Sequence, residues 1–546
     1  MLAPRPVLRP VSRPAAGGLA ALLAILVSPC GAAAPPPERY DVAVYCATAG
    51  GSVAAVAAAR EGRKVVLLEP GRHVGGMVSG GLGRTDMDRQ QRLIAGLAGE
   101  FYARAGKRYN QPLAWFFEPK VAESVFRDWL SEAGVDVRFD QRLSSVKKEG
   151  ARIASLLTDQ GASYEAAVFI DASYEGDLLK AAGVSYAVGR ESRSKFGESL
   201  AGRQDILPGH HQLRVPTPAL DADGNLLPYL ADESKVVPTG EGDGLIQSWC
   251  FRLCLTNNPA NRIEITRPDN YDPRRFGLVR NYLRALGDAA RVNDFLGISR
   301  LPNGKTDVNS GGAVSTNLPG AGLEYIEASP ARRREIWEEH RSWAHGLLYF
   351  LGNDPSVPPA LRAEVREYGL AKDEFTGTGH WPHQLYIRDA RRMMGEYVLT
   401  QHDLTRHTTK YDTIGMAQYN IDIREVQWIA RTVYRFPNAA KEVLMEGYVS
   451  MPVGPYEIPY RSLLPKFGEC SNLLVPVAIS SSHVAYASFR MEPQYMIAGH
   501  AAGVAAAIAA KEGVPVHRVS ITQLQDALRR QKQVLSLSGA GAPTAR

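Results

Sequence analysis

The chain has 546 residues, of which 45% are hydrophobic, and this length and composition suit two or three domains with a large buried core. The formal net charge is only +6, and three arginines in the first 34 residues account for half of it. The charge therefore gives no support to nucleic-acid binding, and we expect no nucleic-acid partner.

The N-terminus has the pattern of a secretory signal peptide. Arg5, Arg9 and Arg13 precede an apolar run over 15–27, and small residues then lead to Ala34 and three prolines. This run is too short to span a bilayer comfortably. We therefore expect 1–34 to be a signal peptide cleaved after Ala34, and the mature chain to be periplasmic or secreted without an integral membrane span. An uncleaved membrane anchor is the alternative.

Residues 40–69 have the pattern of a βαβ unit that binds a dinucleotide. An apolar strand is followed by a glycine turn, an alanine-rich helix and a second strand that ends at Glu69. A helix N-terminus binds pyrophosphate through backbone N–H groups, and an acid after the second strand accepts ribose hydroxyls. We therefore predict cofactor contacts from Thr48, Ala49, Gly50, Gly51 and Glu69.

The glycine pattern of this turn is incomplete. A strict G-x-G-x-x-G motif needs glycine where the chain has Cys46 and Thr48, and only Gly51 matches. A plain βαβ unit without a ligand is therefore the alternative for this stretch. A glycine-dense loop over 71–83 follows directly, and it favours the dinucleotide interpretation because such backbone can approach a flat ring closely. Further predicted contacts are Pro70, Gly75, Gly76, Met77, Ser79, Gly80 and Gly81.

The next segment, up to about residue 190, combines helices with short strands. Helices are predicted over 91–105 and 121–133, and short alternating segments over 135–165 predict a small β-meander. A buried strand over 166–171 then ends at Asp171. From 191 to 440, Pro, Asn and Asp become frequent and aromatic residues cluster, which indicates an inserted substrate or cap domain. Helices are predicted there over 274–286, 331–351 and 387–400.

The chain then returns to the first domain over 441–535. A buried strand over 472–479 and a helix of small residues over 493–513 are predicted, and a disordered tail over 536–546. The predicted fold class is α/β: a Rossmann-like domain, with a parallel sheet and a β-meander, assembled from 38–190 and 441–535, with a large inserted α+β domain between the two parts.

These segments together resemble the FAD-dependent oxidoreductases of the glutathione-reductase-like superfamily. The resemblance covers nearly all of 40–535 and includes blocks that begin at Phe251, Trp381 and Ser480. It implies bound FAD, a redox reaction, and additional cofactor contacts from Val146, Asp171, Ala172 and Gly503. Two departures stand out: the family usually has glycine at Cys46, and a histidine is missing near Asp422. His73, beside the glycine loop, raises the hypothesis of a covalent link to FAD.

Two absences from the sequence limit the reaction. No second glycine turn follows an apolar strand, so we expect no NAD(P)H site, and no Cys-x-x-x-x-Cys follows the glycine loop, which excludes disulfide reductase chemistry. Electrons should therefore enter from a small organic substrate and leave to oxygen, a quinone or a carrier protein. Cys250 and Cys254 are expected to be buried free thiols, a disulfide being the alternative, and no metal site is expected.

Hydride transfer to flavin needs a base and cations around the substrate. The predicted catalytic residues are His483 as the base, Arg490 beside the flavin, and His383 and Arg388 from the inserted domain. Glu492 is expected to orient Arg490, and Asn309 and Ser310 to recognise hydroxyl groups. If the segment around Tyr386 is extended, His383 points away from Tyr386 and Arg388.

The sequence leaves three functions open. The first is an exported FAD-dependent oxidase or dehydrogenase of a small polar molecule, such as a carbohydrate or hydroxylated metabolite. The second is a flavin reductase of the succinate/fumarate type that acts on an activated double bond. The third is a non-redox carbohydrate-binding or lyase protein in which FAD is structural or absent.

Overall fold

The computed structural model describes residues 37–86, 91–207, 209, 211–406 and 408–539. The predicted signal peptide lies outside the described residues. Residues 536–539 of the predicted tail are described and include a 3-10 helix over Leu537–Gly539, whereas 540–546 lie outside. The helices are α1 Ala49–Arg60, α2 Gly76–Ser79, α3 Gly96–Lys107, α4 Pro119–Glu132, α5 Asp177–Ala181, α6 Arg193–Phe196, α7 Gly277–Leu286, α8 Pro330–Asn353, α9 Pro359–Arg366, α10 Gln401–Thr405, α11 His483–Phe489, α12 Glu492–Glu512 and α13 Ile521–Arg530.

The strands form one large sheet and several smaller ones. They are β1 Glu38–Tyr45, β2 Val65–Leu68, β3 Asp136–Arg138, β4 Leu143–Glu149, β5 Arg152–Thr158, β6 Ser163–Asp171, β7 Tyr186–Ala187, β8 Leu230–Asp232, β9 Leu255–Thr256, β10 Arg262–Ile263, β11 Leu296–Leu301, β12 Lys305–Ser310, β13 Gly369–Ala371, β14 Arg392–Met393, β15 Thr413–Ala417, β16 Ile421–Ile423, β17 Gln427–Arg435, β18 Asn438–Glu446, β19 Val449–Met451, β20 Tyr456–Pro459 and β21 Leu473–Leu474.

The large sheet has the order β3-β2-β1-β6-β5-β4, and β21 also pairs with β6. Strands β3, β2, β1, β6 and β21 run parallel, with Val42 opposite both Val65 and Val168. Strand β5 pairs antiparallel with both β4 and β6, and these three strands form the expected meander. Because helices cover a parallel sheet on both faces, its central strands are continuous apolar runs. The α/β fold with a Rossmann-like parallel sheet is therefore confirmed.

Helices α1 and α12 pack closely against each other beside this sheet, and glycines of α12 make the contact. A Cβ atom on Gly499 would lie 2.2 Å from the backbone oxygen of Gly50, and one on Gly503 would lie 2.2 Å from that of Ala54. This close approach requires glycine, because no other residue leaves the two backbones in contact. The small residues of α12 therefore place its N-terminus beside the end of the glycine loop.

The segment between the two parts of the large sheet contains a second sheet. Strands β10, β13, β9, β12 and β11 pair antiparallel in this order, and α7, α8 and α9 belong to the same stretch of chain. These elements agree with an α+β composition for 191–440. The domain limits at 190 and 440 stay predictions.

Two predicted elements are wrong. The segment 387–400 is irregular apart from β14. A helix would place Arg388, Arg391 and Arg392 on one face. In the structure, however, they bind partners in different segments, namely Ser248, Asp177 and Glu191. The strand predicted over 472–479 is only Leu473–Leu474, since Pro476 has no N–H group for a sheet ladder.

Candidate active site

A cavity of about 590 Å³ opens at the carboxyl ends of β1 and β2 and is lined there by Cys46, Thr48 and Glu69. Its volume lies within the range of ligand sites, roughly 300–1,000 Å³. We call it the larger cavity. Ligands of parallel α/β sheets bind at this edge, so its position agrees with the predicted dinucleotide site.

Thr48 is the N-cap residue of α1, and its hydroxyl forms two hydrogen bonds that hold the turn. Its hydroxyl donates to the carbonyl of Ala172 over 2.8 Å and accepts from the N–H of Gly51 over 3.1 Å. A Cβ atom on Gly51 would lie 2.1 Å from the backbone oxygen of Cys46, so this position requires glycine. The remaining N–H groups of the first helical turn, which include those of Ala49 and Gly50, have no partners within the helix. They can bind an anion such as pyrophosphate.

Glu69 lies at the carboxyl end of β2. One of its oxygens accepts from the N–H of Ala47 over 2.8 Å, and the other accepts from that of Gly71 over 2.7 Å. Burial raises the pKa of Glu69 to about 7, although both hydrogen bonds favour the charged form. The carboxylate can accept further hydrogen bonds from two adjacent ribose hydroxyls, as predicted.

The glycine loop packs closely against several distant segments. A Cβ atom on Gly75 would meet the ring of Phe126 at 2.5 Å, and one on Gly76 would meet the Tyr174 hydroxyl at 2.4 Å. Gly80 and Gly81 lie equally close to other parts of the chain, and Ser79 donates to the carbonyl of Val74. Of this loop and its approach, the residues that line the larger cavity are Pro70, Gly71, Arg72, His73 and Gly76. Gly75, Gly80 and Gly81 serve packing instead.

His383 and His73 both line the larger cavity. Their rings stack with centroids 4.0 Å apart and planes 8° apart, and Nδ1 of His73 lies 3.1 Å from Glu123. Burial lowers the pKa of His383 to about 3, so the ring is neutral near pH 7. These three residues place possible metal ligands within 4.8 Å of one another. However, an ion cannot lie in the planes of two stacked parallel rings, so this arrangement does not suit a metal.

A second cavity, of about 200 Å³, adjoins the glycine loop on the other side of the 383–388 segment; we call it the smaller cavity. Tyr386 and Arg388 line it, whereas His383 lines the larger cavity, as the alternation predicted. The predicted Arg490 and Asn309 also line it. The full lining is Asp86, Arg252, Asn309, Tyr386, Arg388, Tyr419, Asn420, Asp422, Arg424, Tyr448, Ser450, Arg490 and Met491.

Arg490 is held in place within this smaller cavity by two partners. Its guanidinium donates to a carboxylate oxygen of Asp422 over 2.8 Å and to the Tyr386 hydroxyl over 3.2 Å. Its neighbour Met491 precedes α12, so the positive N-terminus of that helix borders the same cavity. A cation and a helix N-terminus together stabilise negative charge at this place.

Asp86 was missed from the sequence. It follows the glycine loop directly and faces the smaller cavity. Burial raises its pKa, and the charges of Arg252 and Arg490 oppose that rise. Arg252 itself is paired with Asp307 by two hydrogen bonds of 2.7 Å. The only signal for Asp86 in the sequence is its position next to the glycines.

Asn420, Asp422 and Arg424 were also missed or left in doubt, and all three line the smaller cavity. They alternate with Ile421 and Ile423, which are buried, along β16. This period-two pattern of polar and apolar residues is typical of a strand with one face on a polar site. It was the signal that could have identified this wall of the cavity.

His483 does not lie where the sequence predicted it. It is the first residue of α11, it lines neither described cavity, and its Nδ1 lies 2.7 Å from Glu191. Glu191 also binds Arg392 over 2.8 Å. Because the preceding strand ends at Leu474, irregular chain carries His483 into the interior. Its geometry indicates a buried structural histidine.

Glu492 also has a different partner from the one predicted. The Tyr174 hydroxyl donates to Glu492 over 2.7 Å and accepts from the N–H of Met77 over 2.9 Å. Burial raises the pKa of Glu492 to about 8, so the carboxyl group is protonated near pH 7. Glu492 therefore connects α12 to the glycine loop, and Asp422 takes the predicted role of orienting Arg490.

Four other predicted residues line neither of the two cavities. Val146 packs against a small core, and Leu143 and Ser144 of the same strand line the larger cavity instead. Asp171 accepts from Ser173 and Leu179 and so stabilises the turn after β6. Gly503 lies in the contact between α1 and α12, and Ser310 binds Arg424.

The four cysteines among the described residues are free thiols, as expected for Cys250 and Cys254. Cys250, Cys254 and Cys470 are buried and form no disulfide. Cys46 is only partly buried and lines the larger cavity. The disulfide alternative for Cys250 and Cys254 is therefore wrong.

The family model described as FAD dependent oxidoreductase matches residues 41–528. The chain belongs to this family. No curated protein matches the sequence. The protein is thus an FAD-dependent oxidoreductase with FAD as its cofactor, which confirms the predicted family, enzyme class and cofactor.

Solved flavoenzyme structures are similar to part of the chain. L-Proline dehydrogenase from P. horikoshii is 14% identical, with a TM-score of 0.24, over 29% of this chain and 59% of that one. Thioredoxin reductase from T. acidophilum is 19% identical, with a TM-score of 0.18, over 24% and 35%. A flavoprotein/dehydrogenase from Cytophaga hutchinsonii is 20% identical, with a TM-score of 0.22, over 27% and 42%. The chain thus spans less than two thirds of each, and these scores carry no argument about function.

The larger cavity fits FAD. Cys46, Thr48 and Glu69 lie where the adenosine and pyrophosphate of FAD would bind, and Gly76 and His383 lie farther along the same cavity. The N–H groups of Ala49 and Gly50, at the start of α1, can bind the phosphates. Within the described part of the chain, no helix has the length and apolar character needed to cross a bilayer.

Proposed function

We propose that the protein is an exported FAD-dependent oxidase or dehydrogenase of a small polar organic molecule, and that this molecule binds in the smaller cavity. The observation that carries the proposal is the position of Asp86, Arg490 and the N-terminus of α12 around one polar cavity beside the glycine loop. This cavity supplies a carboxylate, a cation and a helix N-terminus at the place where the cofactor domain meets the inserted segment.

FAD, when bound, supplies a hydride acceptor. The side chains of the smaller cavity supply the rest of the chemistry. Asp86 accepts the proton of the substrate hydroxyl or amine on a carboxylate oxygen, and this requires its charged form. Arg490, held by Asp422, stabilises negative charge that develops beside it. Tyr386, whose hydroxyl accepts from Arg490, orients the polar groups of the substrate.

Export is part of the proposal and rests on the pattern of 1–34 alone. Electrons leave to oxygen, a quinone or a carrier protein, because an exported enzyme meets little reduced nicotinamide. Fractionation of cells that express the full chain tests export: we expect the protein in the periplasm or medium without residues 1–34. Full-length protein in the cytoplasm would contradict it.

The first experiment on the cofactor is a visible spectrum of residues 35–546 before and after acid precipitation. We expect a flavin spectrum that moves to the supernatant. Flavin that stays with the pellet would support the covalent link to His73, which lines the larger cavity. A colourless protein that takes up no added FAD would contradict the assignment of the larger cavity.

The proton acceptor is tested with Asp86→Asn. We expect this variant to bind FAD normally but to slow flavin reduction by substrate roughly 10²- to 10⁴-fold, the usual contribution of a general base. The pH profile should differ as well: in the wild type, reduction speeds up as pH rises through the raised pKa of Asp86, and the variant loses this limb. The exposed Asp223→Asn serves as the matched control.

A reductase of the succinate/fumarate type is the second candidate, because the arginines of the smaller cavity could also protonate an activated double bond. Inward electron flow distinguishes it. If chemically reduced enzyme is oxidised by an unsaturated compound but no substrate reduces its flavin, the reductase interpretation replaces the oxidase.

A further inference from the structure

The arginines of the smaller cavity differ in their partners. Arg252 is neutralised by Asp307, and Arg490 by Asp422. Arg424 lies 3.3 Å from a carboxylate oxygen of Glu425. Arg388 instead donates to two neutral oxygens, the backbone carbonyl of Ser248 at 2.5 Å and the side chain of Asn317 at 3.0 Å.

Arg388 is therefore a buried cation without an adjacent counter-ion. Only 1% of its surface is exposed, and among the described residues no carboxylate oxygen lies within 4.0 Å of its guanidinium. A buried charge of this kind is costly unless it is paired. Asn317 connects it to an acid, Glu425: the amide oxygen of Asn317 accepts from Arg388, and its amide N–H group donates to Glu425 over 2.6 Å.

Two further donors of this cavity are incompletely used. The Nε atoms of Arg424 and Arg490 are buried and have no hydrogen-bond partner within the described chain. Buried N–H groups of charged side chains are normally satisfied, so each unsatisfied group favours a ligand that accepts hydrogen bonds. A carboxylate has two oxygens that accept from such donors. It also carries the negative charge that is missing beside Arg388.

The size of the smaller cavity limits the ligand. Its volume of about 200 Å³ lies below the roughly 300–1,000 Å³ of typical ligand sites. A cavity of this size favours a small organic acid over an oligosaccharide. Asp86 lies on the lining of the same cavity and is available to the hydroxyl or amino group of such an acid.

We propose that the substrate is a small organic acid whose carboxylate binds Arg388, Arg424 and Arg490 in the smaller cavity, and whose hydroxyl or amino group faces Asp86. This inference rests on the proposed function, because it names the substrate class for the same site. It replaces the broad expectation of a carbohydrate with a molecule that carries one negative charge.

The test compares pairs of probes in which a neutral amide replaces the charged carboxylate: glycolate with glycolamide, and L-lactate with L-lactamide. Binding to the FAD-loaded wild-type protein is measured by calorimetry and by the change in the flavin absorption spectrum. We expect the carboxylates to bind at least tenfold more tightly than the amides. Equal or weaker binding of the carboxylates would overturn the inference.

Arg388→Gln tests the residue. We expect it to weaken carboxylate binding roughly ten- to hundredfold, the usual range for hydrogen bonds to a charged group, without changing amide binding. The exposed Arg431→Gln is the matched control. If Arg388→Gln does not fold, the comparison of carboxylate and amide binding to the wild-type protein still tests whether the cavity prefers a carboxylate. An unchanged carboxylate affinity in a folded Arg388→Gln variant would contradict the assignment.

Flavin reduction under anaerobic conditions separates the two proposals. If neutral polyols reduce the flavin and carboxylates neither bind nor reduce it, the proposed oxidation stands and the carboxylate inference fails. If carboxylates bind but no compound reduces the flavin, the inference stands and the proposed oxidation fails.

Discussion

At the residue scale, Cys46 occupies a position where the resemblance predicts glycine. Its backbone has a φ of 72°, a conformation that favours glycine, and its side chain lines the larger cavity. The cysteine therefore adds backbone strain and occupies space close to the predicted pyrophosphate site.

Cys46→Gly should relieve both effects. We expect tighter FAD binding and an increase of up to about 1 kcal/mol in the free energy of unfolding of the apo-protein, since relief of strain exceeds the entropy that glycine adds to the unfolded chain. FAD fluorescence titration and urea unfolding measure the two quantities. Cys46→Ala is the control: it reduces size but keeps the strain, so it should improve FAD binding without stabilising the apo-protein. Equal FAD affinity in all three proteins would contradict the prediction.

Glu69 should make FAD binding depend on pH. Burial raises its pKa to about 7, so a large part of the apo-protein carries a protonated Glu69 at pH 6. Ribose hydroxyls donate to the charged carboxylate, so FAD affinity should rise with pH below about 7, by at most about tenfold per unit, and level off above it. Fluorescence titrations between about pH 5.5 and 8.5, the range over which Glu69 should titrate, check this dependence of FAD affinity on pH.

Glu69→Gln supplies the comparison for that titration. The amide does not ionise, so the variant should bind FAD more weakly at pH 8 and show a flat profile. A wild-type profile that is equally flat would indicate that Glu69 does not accept the ribose hydroxyls.

At the scale of elements, the contact between α1 and α12 decides where the N-terminus of α12 lies. Gly499 and Gly503 bring the two backbones together, and this places the N-terminus of α12 beside the smaller cavity. The sequence predicted both helices but interpreted Gly503 as a cofactor contact, because a glycine that permits close packing and one that permits close binding look the same in a sequence.

Gly503→Ala should separate these helices. Its Cβ atom would lie 2.2 Å from a backbone oxygen, which a small side-chain movement cannot relieve, so we expect a loss of about 2 kcal/mol or more in stability together with weaker FAD binding. Thermal unfolding and FAD titration measure the effect. Gly468→Ala, at a position where the added atom meets nothing within 4 Å, should be neutral. Normal stability of Gly503→Ala would contradict the close contact.

At the scale of the whole molecule, the larger cavity is built from segments far apart in the chain. Glu69, Tyr174, Tyr325 and His383 all line it. A ligand that contacts such distant segments binds only the folded chain, and it therefore stabilises the fold as a whole.

FAD should accordingly raise the melting temperature of the apo-protein. At a free FAD concentration of about 100 times Kd we expect a stabilisation of about 2.7 kcal/mol, with one cooperative transition. Differential scanning calorimetry with increasing FAD checks this. FMN, which lacks the adenosine that Glu69 and Thr48 are expected to bind, should stabilise much less. Equal effects of FAD and FMN would indicate that the adenosine half makes no contact.

The sequence by itself determined the local parts of this protein. The βαβ unit, the glycine loop, α12 and the family follow from it, because hydrophobic periodicity and glycine positions act over neighbouring residues. It also identified Thr48 and Glu69, which lie at the ends of those elements, and Arg388 and Arg490 as candidate cations.

Only the tertiary structure decided which of these residues meet. Asp86, Arg252 and Arg424 come from separate segments and converge on the smaller cavity, whereas His483 is carried into the interior beside Glu191. Local patterns mark some of these residues as polar-site candidates, but which of them meet has no local signal, because convergence depends on packing between residues more than a hundred positions apart. The physical reason is that a strand or helix follows from its own residues, while a cavity belongs to the surfaces of several elements at once.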